Sequence, residues 1–380
     1  MSVTRTTDVT EIGIVGAGAG AAAAAFALAD AAPDADVTVL EKSGGLCGRA
    51  ATRRHEDLTY DYGANYLKSD DDRVVELVTE TLDDEGLVDV DEPVYTFDAD
   101  GAVSPGRDAD ERKWSYRGGL TQIAKRLFAR TDATVHRRTR VETVRRVESD
   151  TATGDADTGG AGDTESGEAG ATNGNARWEL VDATGETWGP FDRLLMNPPA
   201  PQTADLLRTA EWTSPIRDRL VDTVSDVEYR TVWTAVARYP FELDVPYYGL
   251  VNADKDHAVG WISREECKAG HVPDGETLLV VQANDDWSRA HYDRDPAENA
   301  AELAEHAAAI VGDDRLADPD WTDTQGWRYA LPESGVDTDP IDAARGSGLY
   351  LIGDWVAGEP RLHAAIGNGL DVGERVADSL

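Results

Sequence analysis

Apolar and polar positions along this chain follow two rhythms, and both appear within residues 11–49. An apolar run over 12–15 ends at Gly16-Ala17-Gly18-Ala19-Gly20-Ala21. A helix-forming run continues to about Ala32, and a second apolar run over 37–40 ends at Glu41. Short unbroken apolar runs bounded by turn residues predict buried strands, and the long run between them predicts a helix. Strand, glycine turn, helix, strand, acid is the order in which a dinucleotide site is built. Gly16 lets the chain turn sharply, Gly18 lets a pyrophosphate approach the backbone, and Ala21 lets the helix lie close on the sheet. The amides of Gly18, Ala19 and Gly20, at the positive end of the helix, then face phosphates. Glu41 stands 21 residues after Gly20, placed to accept hydrogen bonds from a ribose, with Lys42 beside it.

Further along, residues 70–84 predict an acidic helix with Val74, Val75, Leu77, Val78 and Leu82 on its apolar face. Residues 94–103 predict a hairpin around Asp100-Gly101, 121–130 an amphipathic helix, and 133–148 a strand. Strands are expected over 177–182 and 192–196. A proline run follows, then a helix from Thr203. Strands over 227–238 and 276–283 and a helix over Pro296–Val311 come next. A strand from Leu349 ends in Gly353-Asp354, and Pro360 suits the first turn of a helix over 361–380. Residues 149–176 hold no apolar side chain larger than Ala and read as an extended acidic surface insertion without chemistry.

Composition narrows the partners. The 380 residues carry 73 acids against 36 bases, a net charge of −37, and only six of the bases are lysine. Such a surface repels itself until salt screens it, and in molar salt the Debye length is about 3 Å. The acids run along the whole chain, so a salt-rich cytoplasm is the expected setting. No basic stripe exists to neutralise nucleic-acid phosphates. Cys47 and Cys267 form neither a disulfide framework nor a zinc spacing, the seven His are scattered, and no metal site is expected. Residues 12–29 lack charge but are mostly Ala and Gly around a turn, so neither a membrane span nor a signal peptide is expected.

A second glycine cluster, Ser43-Gly44-Gly45-Leu46-Cys47-Gly48-Arg49, follows the acid, and Asp61-Tyr62-Gly63-Ala64-Asn65 follows that. With Gly353-Asp354, these segments resemble the flavin-dependent amine oxidoreductase superfamily, which has a G-G-R-x-x-T segment after the ribose acid and then D-x-G-A. Here Cys47 replaces the first of the two glycines, at a place where positive φ suits Cys poorly. The segments Pro199-Ala200-Pro201-Gln202, Trp287-Ser288-Arg289-Ala290-His291 and Trp327-Arg328-Tyr329-Ala330-Leu331-Pro332 look like the renalase-like branch.

The resemblance implies an α/β chain with a Rossmann-like FAD-binding domain of the glutathione-reductase, amine-oxidase type. It would comprise residues 8–70, 117–200 and 345–380, with an inserted α+β substrate domain over 71–116 and 201–344. It also implies cofactor contacts from Gly48, Arg49, Gly63, Ala64, Asn65, Gly353 and Asp354, from the Val141 backbone at the adenine, and from Ala364, Ala365 and Ile366 at a helix N-terminus facing the flavin. The implied reaction is FAD-dependent oxidation of an amine-like or dihydronicotinamide-like small molecule, with O₂ as acceptor. Alternatives within reach are another flavin amine oxidase, a polyene desaturase, a protein that holds FAD without turnover, and a nicotinamide-only dehydrogenase. Tyr66, Trp261, Trp327 and Tyr329 are candidates to frame the substrate and read equally as core. Lys268 reads either as a lysine near the flavin or as a solvated loop residue, and Arg328 as a partner for an anionic substrate or for one of the many acids. Oligomeric state is not readable.

Overall fold

The structure is a computed structural model and describes residues 9–106, 112–148 and 176–380. Its centre is a five-stranded, all-parallel sheet in the order Leu349–Leu351, Arg193–Met196, Glu11–Val15, Asp36–Glu41, Thr134–Arg137. Helices cover both faces, which is why the strands read as apolar runs rather than alternating ones. Ile12, Ile14, Val37, Val39, Leu195 and Tyr350 face one core, and Val15, Leu40, Leu194, Met196, Leu349 and Leu351 face the other. Gly13 falls on the second face because a Cβ there would meet the Phe191 ring at 2.6 Å.

The helix Ala19–Ala31 buries almost its whole first half. Its small residues serve two neighbours, the sheet and the C-terminal helix Leu362–Ala377. A Cβ on Gly369 would lie 2.1 Å from the Gly20 carbonyl oxygen, and one on Gly373 2.5 Å from that of Ala24. The glycine and alanine stripes of the two helices therefore set a very close approach, in addition to the helix–sheet contact expected of Ala21.

A seven-stranded sheet runs in the order Trp321–Pro332, Tyr229–Tyr239, Thr277–Ala283, Val259–Arg264, Gly249–Asn252, Val94–Phe97, Val103–Pro105. Its central strands alternate. Ala235, Ala237, Leu279 and Val281 pack under the helix Pro296–Val311, whereas Val236, Leu278 and Val280 pack against Leu58 and Tyr60 of the hairpin Thr52–His55/Leu58–Asp61 and against Tyr62 just after it. That second face, turned toward the glycine-rich segments, is where the site lies.

Four expectations change. Residues 133–148 are not one strand but two, Thr134–Arg137 in the parallel sheet and Val141–Glu148 in a separate three-stranded antiparallel sheet. The break is at Arg138, whose φ of 60° turns the chain out of the first sheet. The helix expected from Thr203 starts at Ala200, with a proline in its first turn. The helix expected over 70–84 is a short one, Asp72–Glu76, running into a wider π turn at Leu77–Thr81. Of the expected insertion, all but Ala176 lies outside the described residues, and Ala176 opens a strand.

Candidate functional site

Gly16, at φ 89°, turns the chain out of the first strand, and its N–H donates to the Leu40 carbonyl at 2.8 Å. Glu41 fastens this turn. Its Oε2 accepts from the Ala17 amide at 2.8 Å and its Oε1 from the Ser43 amide at 2.7 Å. Each carboxylate oxygen retains a lone pair. The second glycine cluster is stitched to the first through the Cys47 amide, which donates to the Ala17 carbonyl at 2.9 Å. Cys47 does adopt the left-handed backbone, φ 75°, that a glycine would take more readily. Burial pushes its thiol up to about 12, so the sulfur stays protonated and inert at neutral pH.

Arg49 then reaches across to the far end of the chain. Its guanidinium meets Asp354 fork to fork, at 2.9 and 2.7 Å, and also donates to the Ala330 carbonyl at 3.0 Å. Fixed fork geometry makes this the strong form of an ion pair. Asp354 also accepts from the Trp355 amide in the first turn of a short helix, whose cap position is Gly353. The Arg49 carbonyl accepts from the Ala64 amide at 2.9 Å, and Gly63 is obligatory there because a Cβ would lie 2.0 Å from that oxygen. The glycine-rich segments and Gly353-Asp354 thus form one cradle.

Two helices open onto it. Neither Ala19–Ala31 nor Leu362–Ala377 has a side-chain cap or an acid in its first turn. Asp71, Ser214, Asn284, Asp295 and Asp337 cap five other helices, whereas Thr121–Phe128 and Ala200–Arg208 are also bare. In a chain this acidic, two bare positive helix ends suit an anionic group. They are close together, since a Cβ on Gly20 would lie 2.8 Å from the Ala365 carbonyl oxygen. Ala364 and Ala365 are half-buried in that first turn and Ile366 is buried. The donor set fits the phosphates of a dinucleotide. Lys42 lies at the rim, donating to Gln202 at 2.9 Å, and Val141 is buried where its strand meets Asp182.

Asn65 is held from the seven-stranded sheet. Ser263 donates to its side-chain oxygen at 3.0 Å, Tyr248 to its carbonyl at 3.1 Å, and Gln282 to the Gly63 carbonyl at 2.7 Å. Trp327 stacks on Tyr62 at 5.2 Å and donates to the Tyr62 carbonyl, so it sits beside Gly63. Tyr329 meets Tyr229 edge to face at 5.8 Å on the Arg49 side. Tyr66 and Trp261 pack with Tyr248, ring centres 6.0–6.2 Å apart. Arg328 lies outside this group, over the Tyr292 ring.

Lys268 is not a solvated loop residue. It is fully buried, with Nζ 3.0 Å from Asp61 and 2.7 Å from Glu265. Burial disfavours its ammonium, but the two acids outweigh that and raise its pKa. Burial likewise opposes the Asp61 carboxylate, but Lys268, His271 and hydrogen bonds from Thr52 and Leu120 hold its pKa below the usual range. His271 completes the cluster. One ring nitrogen faces the Tyr116 carbonyl and the other Glu265, both at 2.8 Å. Glu265 also accepts from the Asp61 amide at 3.1 Å, so the four buried groups form one connected network. Asp61, Glu265 and His271 are also close enough to act as metal donors, a convergence the scattered histidines did not announce, but here the Lys268 ammonium is the cation between the two acids.

Two asparagines escaped sequence reasoning. Asn197 donates to the Ile352 carbonyl at 3.2 Å, and its side-chain oxygen lies 2.5 Å from where a Gly18 Cβ would be. Asn368 accepts from the Gly353 amide at 2.9 Å. Asn197 ends a strand of the parallel sheet, and that position was its one available signal.

Residues 14–81 match the NAD(P)-binding Rossmann-like domain family. Among solved structures, the chain is similar to a protein from Exiguobacterium sp. 255-15 described as a protoporphyrinogen oxidase (15% identity, TM-score 0.72, 98% of this chain and 99% of that one). It is also similar to cyclohexylamine oxidase from Brevibacterium oxydans IH-35A (12%, TM-score 0.69, 98% and 99%) and to reduced UDP-galactopyranose mutase (9%, TM-score 0.69, 98% and 94%). The chain therefore shares its fold, along nearly its whole length, with these proteins.

Proposed function

We propose that this chain is an FAD-dependent oxidoreductase that takes a hydride from a small amine-like or dihydronicotinamide-like molecule, in the manner of the renalase-like branch, with O₂ as the electron acceptor. The observation that carries the reading is the Arg49–Asp354 pair. It joins two motif segments 305 residues apart at the mouths of two bare helix ends. Bound FAD supplies the hydride acceptor; the protein supplies position and field. Glu41 accepts from a ribose hydroxyl with its remaining lone pairs. The amides of Gly18, Ala19 and Gly20 face the pyrophosphate, the Val141 backbone meets the adenine, and Lys42 closes the rim. Gly48, Arg49, Gly63, Ala64, Asn65, Gly353 and Asp354 line the path between. The first turn at Ala364, Ala365 and Ile366 points its positive end at the ring edge that gains charge on reduction. Trp327 and Tyr329 bound the substrate side. Lys268, with its ammonium committed to two acids, holds the segment that begins at Asp61 rather than touching the reacting atoms.

The test is the absorption spectrum of the protein purified in molar salt, with the heat-released cofactor identified by chromatography. A yellow protein releasing FAD supports the reading, and anaerobic bleaching by a reduced nicotinamide isomer or an amine then selects the substrate class. A protein that stays colourless after incubation with FAD refutes it. A yellow protein that no such reductant bleaches refutes the substrate assignment.

A further inference from the structure

Five exposed arginines of this chain sit on acids: Arg73 pairs with Asp71 and Asp371, Arg112 with Asp89, Arg208 with Asp205, Arg289 with Asp285 and Arg315 with Asp313. Others do not, and four unpaired cations meet around Gly44. Arg54, Lys125, Arg137 and Arg138 gather there with no acid at ion-pair distance among the described residues. Arg137 donates to the Gly44 carbonyl at 3.2 Å, and the Arg138 guanidinium lies 3.4–3.5 Å from where a Gly44 Cβ would be. Arg54 is tied to the Gly118 carbonyl, just ahead of the helix that carries Lys125. The Lys125 ammonium is held below its ordinary pKa, first by burial and then by Arg54 and Arg137, which places the three cations together. Like charges crowded without counter-charge are unfavourable. In a chain with twice as many acids as bases, the crowding is conspicuous.

A second, independent feature coincides with it. A cavity of about 360 Å³ is lined by Gly44, Val135, His136, Arg137, Arg138 and Thr139. Its size suits a small molecule rather than a protein surface. It borders the cradle at Gly44 and at Arg137, the strand neighbour of Glu41, on the face away from Val141. Val135 packs into the core that holds Ile12 and Ile123, and Arg137, two residues on, projects to the same face. Val141 and Ala200 lie in the core on the other face.

We propose that this cavity binds a phosphoryl group, either free phosphate or the phosphate of a small nucleotide, gripped by Arg137 and Arg138 with Lys125 and Arg54 completing the charge. Guanidinium groups match phosphate oxygens in pairs, and several cations answer a dianion better than a single carboxylate. Molar salt screens anything beyond about 3 Å, so only a ligand in direct contact is held. A nucleic acid is disfavoured, because the acids beyond the patch repel a polyanion.

The test is calorimetric titration of the purified protein, with whatever cofactor it retains, in about 2 M KCl, using potassium phosphate, AMP and adenosine. Expected is saturable binding of AMP, of phosphate or of both, none of adenosine, and at least a tenfold loss in Arg137→Gln/Arg138→Gln. The second variant Lys125→Gln should lose a few-fold. Cofactor content and circular dichroism of both variants should match the parent. AMP alone assigns the site to a nucleotide, and equal affinities assign it to free phosphate. Absence of saturable binding overturns the proposal, as does equal binding by the double variant. A change in sedimentation mass of the double variant also overturns it, since the patch would then be a contact between copies.

Discussion

Glu41 and Lys268 show what a single residue can and cannot disclose in a sequence. The place of Glu41 at the end of its strand was legible because the pattern around it is local, with the turn it fastens 24 residues away. Replacing it by Ala strips the acceptor from two backbone amides and from the ribose. Hydrogen bonds to a charged group contribute about 1.5–3 kcal/mol each, so FAD retention, read by equilibrium dialysis, should weaken tenfold or more. Unchanged occupancy would remove Glu41 from the site. Lys268 was illegible because Asp61 lies 207 residues away, and no local pattern marks a lysine for burial. Lys268→Met leaves two buried acids short of their cation, a loss of about 3–5 kcal/mol in denaturant unfolding. The pH dependence follows from the two shifts. Asp61, with its pKa depressed, contributes stability at every pH above its ordinary 3.8 and loses it as acid passes below that value. Lys268, with its pKa raised, contributes at every pH below its ordinary 10.5 and loses it above. In wild type the pair should therefore add no slope through the neutral range, whereas the variant, whose Asp61 stays buried without its cation, should gain stability as pH falls, so the gap narrows on the acid side. A gap of equal size at about pH 5 and about pH 8 would contradict this.

Among elements, those with one uninterrupted period were readable to the residue, as with Pro296–Val311. The failure at 133–148 has a definite cause. Strand-forming Val and Thr occur on both sides of Arg138, but the backbone there turns left-handed and sends the two halves into different sheets, which side-chain composition does not report. The contact between Ala19–Ala31 and Leu362–Ala377 was also hidden. Small residues in the first helix were assigned to the sheet, but the glycines opposite them belong to a segment more than 300 residues on. Gly369→Val forces a side chain into the Gly20 carbonyl, so it should lose about 3 kcal/mol or fail to fold. Gly260→Ala, with no neighbour nearer than 3.7 Å, should stay within about 1 kcal/mol. Equal thermal stability of the two variants would show that the helices are not closely seated. The ends of the long insertion offer a further check. Glu148 pairs directly with Ala176, so an Asn-Gly turn can replace everything between them. Cofactor content and melting temperature should survive that exchange.

At the scale of the whole molecule, the excess of acids is the feature that no local contact describes. With 73 acids and 36 bases, self-repulsion should lower the melting temperature steeply as KCl falls from molar to about 0.1 M, where the Debye length grows to about 10 Å. A melting temperature independent of salt would mean that local pairs, not screening, hold the fold. The Arg49–Asp354 pair sets a different condition, one of time. The edge strand Leu349–Leu351, the aspartate and the helix that covers Ala19–Ala31 all come from the last tenth of the chain. A growing chain therefore presents its glycine turn and bare helix end long before anything exists to close them. The cradle can close only after this segment has been made, and until then the alanine-rich helix waits uncovered, so this protein is most exposed to misassembly while it is being made.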